Sequence, residues 1–165
     1  FVPHVEHSTG ALGHGLPVGV GVCIGLKSKK LASRVYVVVG DGEMHEGSNW
    51  EAIMLLGKEK LGSVTAIVDR NLIQIDGNTE DIMPLGDLAK KFEAFDWHTE
   101  EIDGHNFEEI VGAINRAKAV HDKPSVIVAR TIPSKGVKAW EYDYKWHGKA
   151  PTPEEAEAAL AQLSQ

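Results

Sequence analysis

The amino-acid sequence predicts an α/β fold: an open, mostly parallel sheet with helices on both faces. Two valine-rich runs, residues 35–39 and 64–68, carry this expectation. Neither alternates apolar with polar residues, as suits parallel strands covered on both sides. Between them lies the pattern of one helix. Ser48 and Glu51 have capping-box spacing, and Ala52, Leu55, Leu56 and Leu61 form an apolar stripe. The first run stops at Gly40-Asp41-Gly42, a sharp turn that leaves its backbone open, and the second at Asp69-Arg70-Asn71.

In an open parallel sheet, ligands bind beyond the carboxyl ends of the strands. Asp41 and Asn71 are both expected there, one strand–helix–strand length apart in the chain. A carboxylate and a neutral carboxamide oxygen at one crevice suit a hard cation, Mg²⁺ or Ca²⁺, that keeps coordination sites for phosphate oxygens. Either residue alone would more simply cap a turn; the pair in this frame favours the cation.

The remaining elements follow in order. Residues 7–15 lead into a helix rich in small residues that runs to about residue 29. Each helical glycine costs roughly 1 kcal/mol relative to alanine. So many together require close approach to another helix or to a cofactor. Gly13 and Gly15 form a G-x-G with no preceding strand, which argues against a dinucleotide fingerprint. After Asn71, Ile73 and Ile75 alternate with Gln74 in an extended run, followed by a turn at Asp76-Gly77 and a loop over the site, 78–84. Residues 85–95 read as an amphipathic helix with Leu85, Leu88, Ala89, Phe92 and Phe95 inward. Residues 97–102 read as a strand. Asn106 caps a helix to about residue 121, 125–130 is the fourth strand, and Thr152-Pro153-Glu154-Glu155 opens a terminal helix, 154–165.

The chain has 165 residues, enough for one domain with a proper core, and no internal boundary divides 1–165. With 17 basic and 24 acidic residues the net charge is −7 and no basic cluster offsets it, which argues against nucleic acid and anionic membrane as partners. Residues 11–26 are apolar, but His14, Pro17 and five glycines argue against a membrane span. The only cysteine, Cys23, has apolar neighbours and reads as a buried thiol; with no intrachain disulfide possible, a reducing, cytoplasmic setting is expected. His7, His14 and His45 lack zinc-ligand spacing.

Four texts then point to a family: VEHSTGALGHGLPVGVG, GDGEMHEGSNWEAI, DRNLIQIDGNTEDIMPL and KWHGKAP. GDG followed by Asn at this interval resembles the motif of thiamine diphosphate enzymes, and the four texts in this order resemble transketolases, especially the N-terminal subunit of a split one. The resemblance implies a diphosphate-binding module that holds thiamine diphosphate and Mg²⁺ or Ca²⁺. Asp41, Asn71 and the Ile73 carbonyl would be the metal ligands. Gly40 and Gly42 would lie at the diphosphate, with the Gly42 backbone donating to it. Gly10 and Leu12 would lie near the aminopyrimidine and thiazolium, Leu12 otherwise being ordinary core. Ile75 would pack by the thiazolium. Glu46 and Glu51 would face a dimer mate, one of them beside the pyrimidine, although both also suit a helix N-terminus. His147 of the WHG text would reach the diphosphate and the reacting centre, where an imidazole can donate to phosphate and shuttle protons; otherwise it is a surface histidine.

The implied reaction moves a two-carbon ketol unit between sugar phosphates. It requires a pyrimidine-binding domain or C-terminal subunit, which supplies the activating glutamate and which nothing in this chain matches. The implied assembly is a homodimer or heterotetramer, with the glycine-rich helix and the Trp50 face between subunits. The family carries a segment with cofactor-facing histidines ahead of this point, so the chain reads as truncated on its N-terminal side, and the family shows glycine where His4 stands. Other readings stay open. Deoxyxylulose-phosphate synthase, a dehydrogenase component or a decarboxylase would share GDG and Asn but lack the VEHSTG and WHGKAP texts. A degenerate cofactor-binding protein would bind without turnover. A metal-dependent phosphohydrolase would want more strand-end carboxylates than Asp41 and Asp69.

Overall fold

The two valine-rich runs form neighbouring parallel strands in the computed structural model, which describes residues 2–164. Strand β1 (Val35–Gly40) pairs with β2 (Val64–Arg70) from Val35 opposite Val64 to Gly40 opposite Asp69. A two-residue hairpin follows, β3 (Ile73–Gln74) and β4 (Gly77–Asn78); then come β5 (His98–Asp103) and β6 (Ser125–Arg130). The main sheet has the order β1-β2-β6-β5 and every pairing in it is parallel. The helices are α1 (Gly15–Ser28), α2 (Gly47–Lys58), α3 (Thr79–Ile82), α4 (Leu88–Glu93), α5 (Phe107–Ala119) and α6 (Pro153–Leu163).

Helices lie on both faces of the sheet. Leu16, Val20 and Cys23 of α1, Ile53 and Leu56 of α2, and Leu88 and Phe92 of α4 pack on Val37, Val39, Ala66, Val68, Val126 and Val128. Burying a large apolar side chain such as Leu56 or Phe92 contributes roughly 1.5–3 kcal/mol, so this contact, more than helix propensity, holds the short α4 in place. On the opposite face, Ala113 and Ala117 of α5, with Ile110 and Ile114, cover Ile102, Ile127, Ala129 and Ile67. That covering stops short of β1. Val38 is 70% exposed and Tyr36 is exposed too, so the run expected to be buried on both sides is open on one. The cause is position: β1 is the sheet edge, and α5 reaches only the other strands.

Several local expectations are corrected. Ser48 does not cap α2. The helix starts at Gly47 with Glu46 at its cap position, and the Ser48 hydroxyl donates instead to the Gly13 carbonyl at 2.7 Å. Leu55 of the expected stripe faces outward, while Ala52, Leu56 and Leu61 are buried. Trp50 is half-buried: its indole N–H donates to the Met44 carbonyl at 2.8 Å and its ring tilts onto Phe92. In α1, a Cβ at Gly19 would lie 2.7 Å from Val37 Cγ2, the close approach the glycines required, whereas Gly21 and Gly25 face open space. The helix expected over 85–95 is the shorter α4. The cap at Asn106, which accepts from the Glu108 and Glu109 amides, and the Thr152–Glu155 capping box both form. His4 takes the left-handed φ of +67°, a conformation glycine adopts without strain.

Candidate functional site

The site is built where β1 and β2 end side by side. Asp41 follows β1, is buried, and begins a 3-10 turn over Gly42–His45. Its two oxygens are used unequally. Oδ2 accepts from Arg70 Nη1 at 2.9 Å, Leu72 N at 2.8 Å and Thr79 Oγ1 at 3.4 Å. Oδ1 accepts only from Gly42 N, at 2.8 Å. A carboxylate oxygen has two lone pairs, so Oδ1 keeps acceptor capacity and Oδ2 does not.

Asn71 is held next to it by its neighbours. Its Nδ2 donates to Asp69 Oδ2 at 3.0 Å, and its Oδ1 accepts from Ile73 N at 3.0 Å. A carboxylate can only accept, so Asp69 fixes which end of the amide is oxygen. Asp69 is steadied in turn by a short hydrogen bond from Thr131 Oγ1. The Ile73 carbonyl oxygen lies 3.7 Å from where a Cβ on Gly42 would sit, and Gln74 Cβ would lie at 3.1 Å, so a side chain at position 42 would crowd the ground between Asp41 and Ile73. The candidate ligands are therefore one carboxylate oxygen, one amide oxygen and one backbone carbonyl. No group of three or more His, Cys, Asp and Glu is placed to hold a metal among the described residues. An all-oxygen set with a single charge fits Mg²⁺ or Ca²⁺ sharing its coordination with phosphate oxygens.

The loop ahead of α1 is clamped to the same place. Gly13 has φ +84°; its N–H donates to Glu43 Oε1 at 2.9 Å and its carbonyl accepts from Ser48 Oγ. A Cβ at Gly13 would stand 2.6 Å from Glu46 Cβ, so only glycine fits between this loop and the turn that follows Asp41. Gly10 and Leu12 sit just before the clamp. Leu12 is 57% exposed, which removes the reading of it as ordinary core.

The family described as "Transketolase, thiamine diphosphate binding domain" matches residues 1–164. The chain belongs to this transketolase family. One subunit of the apulose-4-phosphate transketolase of Phocaeicola vulgatus is 40% identical over 164 residues, covering 99% of this chain and 58% of that protein. The 6-deoxy-6-sulfo-D-fructose transketolase subunit SqwG of Clostridium sp. is 41% identical over 159 residues, covering 96% and 58%. The transketolase structure from Campylobacter jejuni superposes with a TM-score of 0.90 at 32% identity, covering 97% of this chain and 26% of that one. The chain thus spans a little over half the length of the curated subunits it matches. No helix is long and apolar enough to cross a membrane among the described residues.

Within this transketolase module the remaining expected residues fall as follows. Gly40 closes β1 opposite Asp69. Glu46 is exposed at the start of α2, beside the Gly13 clamp. Ile73 is buried, and Ile75 is 73% exposed. The register Ile73–Asn78 and Gln74–Gly77 ends the strand at Gln74 and leaves Ile75-Asp76, not Asp76-Gly77, as the turn. His147 is exposed and follows the 3-10 turn Tyr144–Trp146, which packs on β4. The expected loop over the site contains the short helix α3, whose Thr79 is buried beneath Arg70.

Arg70, Glu80, Leu72 and Glu43 are not singled out by the sequence patterns. Arg70 Nη2 pairs with Glu80 Oε1 at 2.6 Å while Nη1 holds Asp41. That guanidinium bond, helped by the Gly86 and Leu85 amides, holds the Glu80 carboxyl below its ordinary range. A signal for Arg70 exists. In β2 the alternation places it in step with Val64, Ala66 and Val68, the core-facing side, where a charge needs a partner.

Proposed function

We propose that residues 1–165 form one diphosphate-binding module of a transketolase-type enzyme, which moves a two-carbon ketol unit between sugar phosphates. What supports this is the chain of contacts at the end of β1: Asp41 Oδ1 accepts from Gly42 N, the Ile73 carbonyl lies beside Gly42, and Asn71 Oδ1 accepts from Ile73 N. These three oxygens would hold Mg²⁺ or Ca²⁺. Asp41 Oδ1 would serve the cation, and the Gly42 N–H, at the start of a helical turn, would donate to a diphosphate oxygen. Thiamine diphosphate, when bound, supplies the carbanion chemistry that breaks the ketose C–C bond. This chain's residues bind and orient it: Gly40 and Gly42 at the diphosphate, Gly10, Leu12 and Ile75 along its rings, and Glu46 towards the pyrimidine. His147 donates to the diphosphate and moves a proton at the reacting centre.

A pyrimidine-binding subunit or domain completes the site, in a homodimer or heterotetramer. The naming of both relatives as subunits, and the outward Val18, Gly21, Val22 and Gly25 of α1, support an assembly between chains. The lone buried Cys23 suits the cytoplasm. The readings as another thiamine diphosphate enzyme or as a phosphohydrolase are not favoured: the match follows the transketolase texts, and Asp69 is engaged by Thr131 and Asn71.

Calorimetry with thiamine diphosphate, with and without Mg²⁺, tests the binding claim. Asp41→Ala is expected to abolish metal-dependent binding, because the only anionic ligand is lost, and Asn71→Ala to weaken it less. Parent-like binding by both variants refutes the site. Activity is tested by ketol transfer from a ketose phosphate: none by the chain alone, and transfer once a matching pyrimidine-binding subunit is added. In that complex His147→Ala is expected to lower the rate more than cofactor affinity.

A further inference from the structure

The segment between β6 and α6 contains an aromatic stack that none of the site residues explains. Trp140 and Trp146 lie face to face, with ring centroids 4.1 Å apart and planes 25° from parallel. The Lys149 ammonium covers Trp146, 4.0 Å from its centroid. Lys149 Nζ also contacts Glu155 Oε1 at 2.9 Å, and the same Glu155 side chain accepts from the Thr152 amide in the capping box of α6. The far end of α6 is tied to this segment as well, where Lys138 N donates to Gln162 Oε1 at 3.2 Å.

The order of these residues in the chain matters. Trp146 and Lys149 flank His147-Gly148, so the cation–π contact cinches a four-residue bend shut, with His147 exposed at its apex. The His147 amide donates to the Tyr144 carbonyl at 2.9 Å, which fixes the entry to the bend, and the 3-10 turn before it rests on β4. An imidazole on a free glycine-flanked loop would sample many positions; one at the apex of a cinched bend samples few.

We propose that Lys149, clamped between Trp146 and Glu155 over the Trp140 stack, is a positioning residue that holds His147 at the diphosphate. This rests on the reading of His147 as a diphosphate contact. Lys149 acts through His147 and makes no contact of its own with the diphosphate.

The test uses the full chain with Mg²⁺ and inorganic diphosphate, followed by ³¹P NMR, which reads weak binding. Lys149→Met and His147→Ala are each expected to weaken diphosphate binding several-fold, and the double variant to be no weaker than His147→Ala. Lys149→Arg, which keeps a cation over Trp146, is expected to restore parent-like binding. In far-UV circular dichroism the parent is expected to show an exciton couplet that Trp140→Ala abolishes. Additive losses in the double variant, while His147→Ala alone weakens binding, overturn the positioning role and make Lys149 a direct ligand. Absence of the couplet in the parent overturns the stack. Unchanged binding in His147→Ala overturns the His147 reading and the proposal with it, while a loss in Asp41→Ala then still supports the metal site; no binding by the parent overturns the diphosphate site as a whole, and the proposal with it.

Discussion

Asp41 and Arg70 form a buried ion pair across the ends of β1 and β2, with Oδ2 and Nη1 2.9 Å apart. The pair sets the site's asymmetry: Arg70, with Leu72 N and Thr79 Oγ1, fills one oxygen of the carboxylate, while the other keeps acceptor capacity. Removing one member of a buried pair strands the other, so Arg70→Met is expected to lower stability by about 3–5 kcal/mol. The shift of the urea midpoint measures this. Adding Asp41→Asn should recover part of the loss, because the orphaned charge then disappears. A loss no larger than that of an exposed pair would mean that water reaches Asp41.

Asp69 orients Asn71, the proposed cation ligand, by accepting from its Nδ2. In Asp69→Asn the Asn71 amide no longer faces an acceptor-only partner, so only the Ile73 N–H still sets which end is oxygen. Loss of such a supporting contact typically weakens metal affinity about 10–100-fold, and that range is expected for Mg²⁺ measured by calorimetry with diphosphate present. Thermal stability should change much less. Equal Mg²⁺ affinity in the variant and the parent would leave Asn71 oriented by other means.

Leu72 stands between the two expected ligands Asn71 and Ile73 with φ +65°. A non-glycine residue held there costs of order 1–3 kcal/mol. Its N–H donates to Asp41 and its carbonyl accepts from Thr79 N at 3.0 Å, so the conformation is enforced from both sides. Leu72→Gly is expected to keep or raise the melting temperature and to keep metal-dependent diphosphate binding. Leu72→Val, β-branched, should lower both. The reverse order would show that the Leu72 side chain, not its backbone, matters.

Glu80 gives the site an acid-side signature. Its folded pKa is depressed below the ordinary 4.5, first by the Arg70 hydrogen bond. The contribution is therefore fully present above pH 4.5 and lost as the pH falls through the depressed folded value. Its carboxylate is partly exposed, so solvent screening keeps the contribution small. Melting temperatures of the parent and Glu80→Gln are expected to differ by a constant amount above pH 4.5 and to converge below it. Divergence on acidification would contradict the pair.

The sequence by itself determined the class of fold, the parallel pairing of the two valine runs, and the placing of Asp41 and Asn71 at their carboxyl ends. These follow from local period and from the geometry of any strand–helix–strand unit, which needs no knowledge of distant neighbours. It also carried the Asn106 and Thr152 caps, because a cap is satisfied within four residues. Ser48 and Ile75 went another way. The Ser48 hydroxyl found the Gly13 carbonyl, far off in sequence, in place of its own helix end, and the hairpin register put Ile75 in a turn. Only the tertiary structure decided the exposure of Val38, the burial of Arg70 against Asp41, and the closing of the bend under His147 by Lys149. Each depends on which surfaces the folded chain brings together: how far α5 reaches across the sheet, and where a charge meets its partner or an aromatic ring. Local pattern sets which way a side chain faces, while the free energy of burying it depends on what waits there.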